Sequence, residues 1–237
     1  MSNMKRLAII TARGGSKRIP RKNIRSFCGR PIVVYSIEVA LNSGLFDEVM
    51  VSTDDEEIAR IANDAGAKVP FMRSENTSGD YATTADVLIE VLDEYEKQGR
   101  SFDRVCCIYP TAPFVTVEKL VAADALMSGE TTAAVPVVRF SFPPQRGLLM
   151  DEEGLKYWMP ENENARSQDL VPLYHDAGQF YIRSVDELRR TRSLVGDNAV
   201  GYEVPETEVQ DIDNEVDWEL AEIKYERMVS RDGKAAE

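Results

Sequence analysis

The sequence predicts an α/β domain of three layers, with helices on both faces of a mainly parallel sheet. Three observations point there: short β-rich apolar runs alternate with amphipathic helical stretches, the runs are nearly continuous in their apolar character, and a loop rich in glycine and basic residues follows the first run. Continuous apolarity marks strands covered on both faces, and β–α alternation marks parallel strands joined by crossover helices.

The strands fall at residues 7–11 (LAIIT), 49–53 (VMVST), 104–109 (RVCCIY) and 133–138 (AAVPVV). Helices are predicted over 33–41, 55–65 and 84–97; in the last, Val87, Leu88, Val91, Leu92 and Tyr95 share one stripe, and Gly99 stands where a helix stops. After Arg139 the rhythm breaks at Phe142-Pro143-Pro144, and a polar stretch runs to Pro172 with Asp151-Glu152-Glu153-Gly154 as a hairpin turn. Residues 139–176 are therefore an excursion from a single domain spanning 1–237. Strand character resumes at 180–183 and 200–204. A closing amphipathic helix is predicted over 214–228, capped by Asp213 or Asn214, with Val216, Leu220, Ile223 and Tyr225 inward and a frayed polar tail from Ser230.

Composition narrows the function. Across 237 residues, 43% hydrophobic and 29% charged, no apolar run approaches the roughly 20 residues a membrane span needs, and the first ten lack the marks of a secretory signal. No membrane association and a cytoplasmic location are expected. Three cysteines, two of them the neighbours Cys106 and Cys107 in an apolar run, give neither a disulfide framework nor zinc spacing. Residues 1–37 hold nine Lys/Arg and no acid, leaving 19 basic against 41 acidic residues in the rest. A body so acidic repels a nucleic-acid backbone, so the basic segment reads as a pocket for a compact anion such as a nucleotide.

The chemistry-bearing loop is Ala12-Arg13-Gly14-Gly15-Ser16-Lys17-Arg18-Ile19-Pro20-Arg21-Lys22-Asn23. Two glycines let backbone amides approach phosphate, Ser16 adds a hydroxyl, and Arg13, Lys17 and Lys22 supply the cations a polyphosphate needs. Its place, at the carboxyl end of the first strand, is where open α/β sheets bind ligands. The spacing is neither a P-loop nor a dinucleotide fingerprint. A solvated basic surface loop is the plain alternative, and the double glycine, the number of cations and the strand-end position weigh against it. Asp211-x-Asp213 sets two carboxylates on one side of an extended segment, which suits Mg²⁺ and suits equally a turn with a helix cap. Asp54-Asp55, at a helix start, reads as capping. The chain has a single histidine, His175, so any histidine-based acid/base mechanism must use it; a lone histidine is more often structural, and no Ser-His-Asp order is suggested.

Ala-Arg-Gly-Gly-Ser-Lys-x4-Lys-Asn resembles the nucleotide signature of the CMP-nonulosonate synthetases, which activate sialic acid and its bacterial relatives with CTP. The resemblance extends through residues 45–55, 69–73, 110–114 and 211–213, nearly the whole chain. Segments 107–114, 142–146 and 174–181 are most similar to the pseudaminate cytidylyltransferase branch. Sialic acid enzymes usually carry Gln where Tyr109 stands and Arg-x-Asn-Gly where this chain has His175-Asp176-Ala177-Gly178. The resemblance implies a Rossmann-like nucleotidyltransferase fold with a small β-containing dimerisation excursion, and CMP transfer from CTP to a nonulosonic acid with pyrophosphate released.

Carried over by position, it places Arg13, Ser16, Lys17 and Lys22 on the triphosphate, Asn23 and Arg73 near the nucleotide, and Ala82 and Thr84 near the cytosine, Thr84 having a helix cap as its alternative. It makes Asp211 and Asp213 the Mg²⁺ ligands and Arg13, Lys17 and Asp211 the catalytic groups. Tyr109, His175, Gln179, Phe180 and Tyr181 form the sugar wall, with Arg146 and Arg166 as candidate cations for the sugar carboxylate or, equally, surface ion pairs. A homodimer with shared sugar sites is the implied partner state. The rivals are a different acid sugar, such as legionaminate, N-acetylneuraminate or 3-deoxy-manno-octulosonate, a catalytically silent nucleotide-binding regulator, and a nucleic-acid binder, which the acidic body disfavours.

Overall fold

A computed structural model describes residues 4–79, 81–152 and 154–235. Strand β1 (Arg6–Thr11) leads through the glycine loop to a short hairpin, β2 (Ser26–Phe27) and β3 (Arg30–Pro31), and into helix α1 (Ile32–Asn42). Strand β4 (Glu48–Ser52) is followed by α2 (Glu56–Asp64), the single turn α3 (Glu75–Ser78) and α4 (Thr84–Lys97). Then come β5 (Arg104–Ile108), α5 (Val117–Ala125) and β6 (Ala133–Arg139). The chain departs through the hairpin β7 (Leu148–Asp151) and β8 (Gly154–Tyr157); Glu153 of the turn expected at 151–154 lies outside the described residues. It returns by β9 (Tyr174–Asp176), β10 (Phe180–Ser184), α6 (Val185–Thr191), β11 (Ala199–Glu203) and α7 (Glu215–Ala235).

The main sheet runs β11-β6-β10-β5-β1-β4, with β9 also paired to β6. Pairings of β1 with β4 and β5, and of β11 with β6, are parallel. Strand β10 lies antiparallel between β5 and β6, so the excursion rejoins the centre of the sheet rather than its edge. Alternate residues of β1 feed opposite faces: Ala8 and Ile10 pack with Val33, Ile37, Ile58 and Leu120, while Leu7 and Ile9 pack with Leu88, Val91 and Leu188. Helices α1, α2 and α5 thus cover one face and α4 and α6 the other. Among the described residues no helix is long and apolar enough to cross a membrane.

Helix starts follow capping chemistry. Asp55 accepts from the Glu57 and Ile58 amides, and Thr83 with Asp86 forms a reciprocal capping box, so the cap of α4 is Thr83 and not Thr84. Asn214 caps α7, accepting from the Val216 and Asp217 amides.

Two expectations are corrected at the C-terminus. Helix α7 turns Trp218 and Ala221 inward, onto Phe27, Ile32 and Tyr35, with Tyr225 and Met228 packed beside them, while Val216, Leu220 and Ile223 face outward. Its partner is the β2–β3 hairpin and α1, an aromatic cluster in which Phe27 meets Trp218 and Tyr225 edge to face at 5.6 and 5.5 Å. The tail from Ser230 continues the helix as far as Ala235 instead of fraying.

Candidate active site

The site is built on the carboxyl ends of β1, β4 and β5. Where β1 ends, the Ala12 amide donates to the Ser52 carbonyl and the chain turns tightly, Ser16 N–H to Gly14 C=O at 3.0 Å. The Gly14 amide donates to Asp54 Oδ1 at 2.8 Å, and a Cβ on Gly14 would lie 2.8 Å from Asp55 Oδ2, so this position admits glycine alone without displacing the α2 cap. Asn23, buried, donates from Nδ2 to the Arg13 carbonyl and fixes the far side of the loop.

Much of the N-terminal basic charge is already matched. Arg21 pairs with Asp55 and Glu57, Arg25 with Glu215, Arg30 with Glu38, and Arg18 with Asp213 at 2.6 Å. The cationic pocket is accordingly narrower than the sequence segment. Arg13, Lys17, Arg18 and Lys22 line a cleft of 670 Å³ together with Ser16, Asn23, Thr84, Tyr109 and Asp211. Burial lowers the Lys22 pKa, opposed by Asp213 and Asp211, and its Nζ donates to the Ile212 carbonyl at 2.6 Å.

A side pocket of 180 Å³ opens from this cleft between Arg13, Arg73, Ala82 and Thr84. Its floor is rigid: Arg73, buried and with its pKa lowered by desolvation, donates to Ser52 Oγ at 3.0 Å and to the Ser52 carbonyl at 2.7 Å.

A second cleft of 480 Å³ lies off the ends of β5 and β6 and shares Tyr109 and Asp211 with the first. His175, Asp176 and Tyr181 line it, and Lys224 of α7 closes it. The His175 ring packs on Phe140 at 4.9 Å, and Tyr181 donates to Asp176 Oδ2 at 2.6 Å. Lys224 Nζ donates to the Val209 carbonyl at 2.7 Å and to Gln210 Oε1 at 3.1 Å, fastening the stretch that leads into Asp211. Burial and then the neighbouring Asp213 carboxylate push the Asp211 pKa up.

Four residues expected at the sugar wall stand elsewhere within this chain. Phe180 packs into the core with Ile10, Ile108 and Ile182, because alternation along β10 sends it to the face opposite Tyr181. Gln179 is buried beneath the cleft and donates from Nε2 to the Glu208 carbonyl. Arg166 pairs with Asp169 at 2.7 Å out on the excursion, and Arg146 sits in a short turn there, so neither lines the cleft of His175 and Tyr181. Asp176 and Lys224 are site residues that the sequence reading left unassigned. Asp176 lay inside the quoted 174–181 segment, whereas nothing in the local sequence marks Lys224.

A strand-end cleft lined by cations, with a side pocket sized for a ring and a second polar cleft abutting it, suits joining a nucleotide to another polar molecule. The chain belongs to the cytidylyltransferase family, which it matches over residues 7–140. It is 42% identical over 224 residues to the pseudaminic acid cytidylyltransferase of Campylobacter jejuni subsp. jejuni, covering 94% of this chain and 97% of that one. The CMP-N,N'-diacetyllegionaminic acid synthase of Legionella pneumophila is 31% identical, covering 92% and 95%. The fold matches that of a CMP:2-keto-3-deoxy-manno-octonic acid synthetase solved with CTP, at a TM-score of 0.69 and 18% identity over 94% of this chain and 99% of that one.

Proposed function

We propose that this chain transfers CMP from CTP to the anomeric hydroxyl of pseudaminic acid and releases pyrophosphate. The observation that carries this is the junction of the two clefts at Tyr109 and Asp211, which brings a polyphosphate-binding surface and a polar sugar-sized space to one seam. The identity to a pseudaminic acid cytidylyltransferase across 94% of the chain supports the choice of sugar.

In this reading Arg13, Ser16, Lys17 and Lys22 hold the triphosphate, Ala82 and Thr84 border the cytosine, and Asn23 and Arg73 keep the walls rigid. The sugar oxygen attacks the α-phosphorus in line, its proton is lost, and the bond to pyrophosphate breaks. Because both reactants are anions, Arg13 and Lys17 act by neutralising the departing pyrophosphate and by alignment. Asp211, which lines both clefts, and Asp213 two residues on, paired with Arg18 at 2.6 Å, are hard oxygen donors that would hold a divalent cation, and the Asp213 carboxylate adds to burial in pushing the Asp211 pKa up. Mg²⁺ held there supplies positive charge against the phosphate oxygens.

The excursion at 139–176 exposes Phe142, Met150, Leu155, Trp158 and Val171, which suits burial against a second copy and would carry Arg146 and Arg166 toward that copy's sugar cleft. We assign the reaction to the cytoplasm, the compartment of its CTP.

CTP labelled at the α-phosphorus tests the transfer. Label is expected in the sugar nucleotide and unlabelled pyrophosphate in solution; labelled free CMP without a sugar adduct would overturn the reading.

A further inference from the structure

One carboxylate of helix α7 reaches back past the start of the helix. Asp217, half-buried in the first turn, accepts on Oδ2 from the Asp213 amide at 2.9 Å and from the Asn214 amide at 3.0 Å, and on Oδ1 from Gln210 Nε2 at 3.4 Å. Asn214 in turn accepts on Oδ1 from the Val216 and Asp217 amides at 2.9 and 3.1 Å. The bonds between Asn214 and Asp217 form the reciprocal box of a helix start, with Asp217 at its third position. The bond to Asp213 lies outside that box: residue 213 precedes the cap, so meeting its amide adds nothing to the cap itself.

That bond completes the fastening of one peptide unit. The Ile212 carbonyl and the Asp213 amide belong to the same planar group, and they point in opposite directions because the peptide is trans. Lys22 Nζ holds the carbonyl at 2.6 Å and Asp217 holds the amide, so the plane is gripped from both sides. Ile212 itself is 1% exposed, sunk in the aromatic cluster with Phe27 and Trp218. Upstream, Lys224 holds the Val209 carbonyl and Gln210 Oε1. A fixed peptide plane sets where Cα of residue 213 lies, and with it the direction in which the Asp213 carboxylate leaves the backbone. That carboxylate meets Arg18, which lines the first cleft together with Asp211.

Resting on the metal role proposed above for Asp211 and Asp213, we propose that Asp217 is a positioning residue: with Lys22 it locks the Ile212–Asp213 peptide and so aims the Asp213 carboxylate at the cleft where Asp211 and a divalent cation would meet it.

Mn²⁺ standing in for Mg²⁺ gives a readout that does not pass through turnover. Its binding to the full chain is followed by the loss of the free-ion EPR signal, in the presence of a CTP analogue with a methylene bridge between the α- and β-phosphates, and thermal midpoints are measured alongside. Asp217→Ala is expected to weaken Mn²⁺ binding by about tenfold, the low end of what losing a partner behind a metal ligand costs. Asp217→Asn keeps an oxygen for both amides and gives up only a screened charge, so its Mn²⁺ affinity is expected within about threefold of wild type. Asn214→Ala removes the other half of the box; it is expected to lower the thermal midpoint while leaving Mn²⁺ affinity within about twofold of wild type. Should Asp217→Ala melt early, Asp217→Glu takes its place: it keeps the charge and can still close the box, but carries the carboxylate one methylene further from the Asp213 amide, and the same loss is expected.

Equal losses in Asp217→Asn and Asp217→Ala would make Asp217 a source of charge alone, and a loss in Asn214→Ala as large as that in Asp217→Ala would reduce the effect to the helix cap; either result overturns the proposal. Asp211→Asn is the separate control. If it binds Mn²⁺ as wild type does, the metal role of this segment fails and the proposal falls with it, whereas a loss in Asp211→Asn with none in Asp217→Ala overturns the positioning role alone.

Discussion

Lys22 reaches across 190 positions of sequence to donate from Nζ to the Ile212 carbonyl at 2.6 Å. The bond fastens the end of the glycine loop to the segment carrying Asp211 and Asp213. Lys22→Met is expected to lower kcat/KM for CTP by roughly 10²-fold, the scale of losing one preorganised charge contact. A loss below about threefold in steady-state assays would show that the tie is dispensable.

Arg13 and Lys17 line the cleft on the side expected to receive the leaving group. Substituting either by alanine is expected to cut turnover by roughly 10²-fold or more, a barrier increase of about 2.7 kcal/mol. Single-turnover rates at saturating CTP measure this directly. Near-normal turnover would remove the residue from the phosphate site.

Asp211→Asn is expected to shift the magnesium requirement sharply upward while leaving the thermal midpoint close to wild type. A titration of rate against Mg²⁺ concentration reads the effect, and an unchanged titration would remove Asp211 as a ligand.

Glu48 shows where a pH effect on stability arises. Burial pushes its carboxyl up, but hydrogen bonds from Arg100, Lys68 and Tyr95 outweigh burial and hold it at about 2, below its ordinary 4.5. A depressed folded-state pKa gives stability that is fully present above the ordinary value and is lost as pH falls toward 2. The shift corresponds to roughly 3 kcal/mol at neutral pH. Glu48→Gln is expected to lose most of that at pH 7 in urea unfolding and to differ little from wild type near pH 2, and an equal gap at both would reassign the cost to packing.

Legibility in the sequence followed how local the cause was. Strands such as 7–11 and the stop at Gly99 were readable because apolar runs and backbone chirality act within a few residues. Helix α5 was missed: Thr116 caps it, but Glu118 and Lys119 interrupt the apolar pattern, and Lys119 is buried because its Nζ donates to the Phe114 carbonyl and pairs with Glu208. The inward face of α7 was misread because the helix carries apolar residues on two sides, and only the aromatic cluster around Phe27 decides between them. At the site, the glycine loop announced itself by composition. Lys224 entered through tertiary packing alone, and Phe180 left the wall because the alternation of β10 is set by its register against β5.

The most direct test of the central claim is pyrophosphate release by the purified protein with CTP and Mg²⁺, comparing pseudaminate, legionaminate and N-acetylneuraminate at equal concentrations. Release with pseudaminate well above the other two is expected. Equal or greater release with another sugar would contradict the assignment of the His175 and Tyr181 cleft to pseudaminate, and no release with any of the three from protein that still binds CTP would contradict the transferase reading itself.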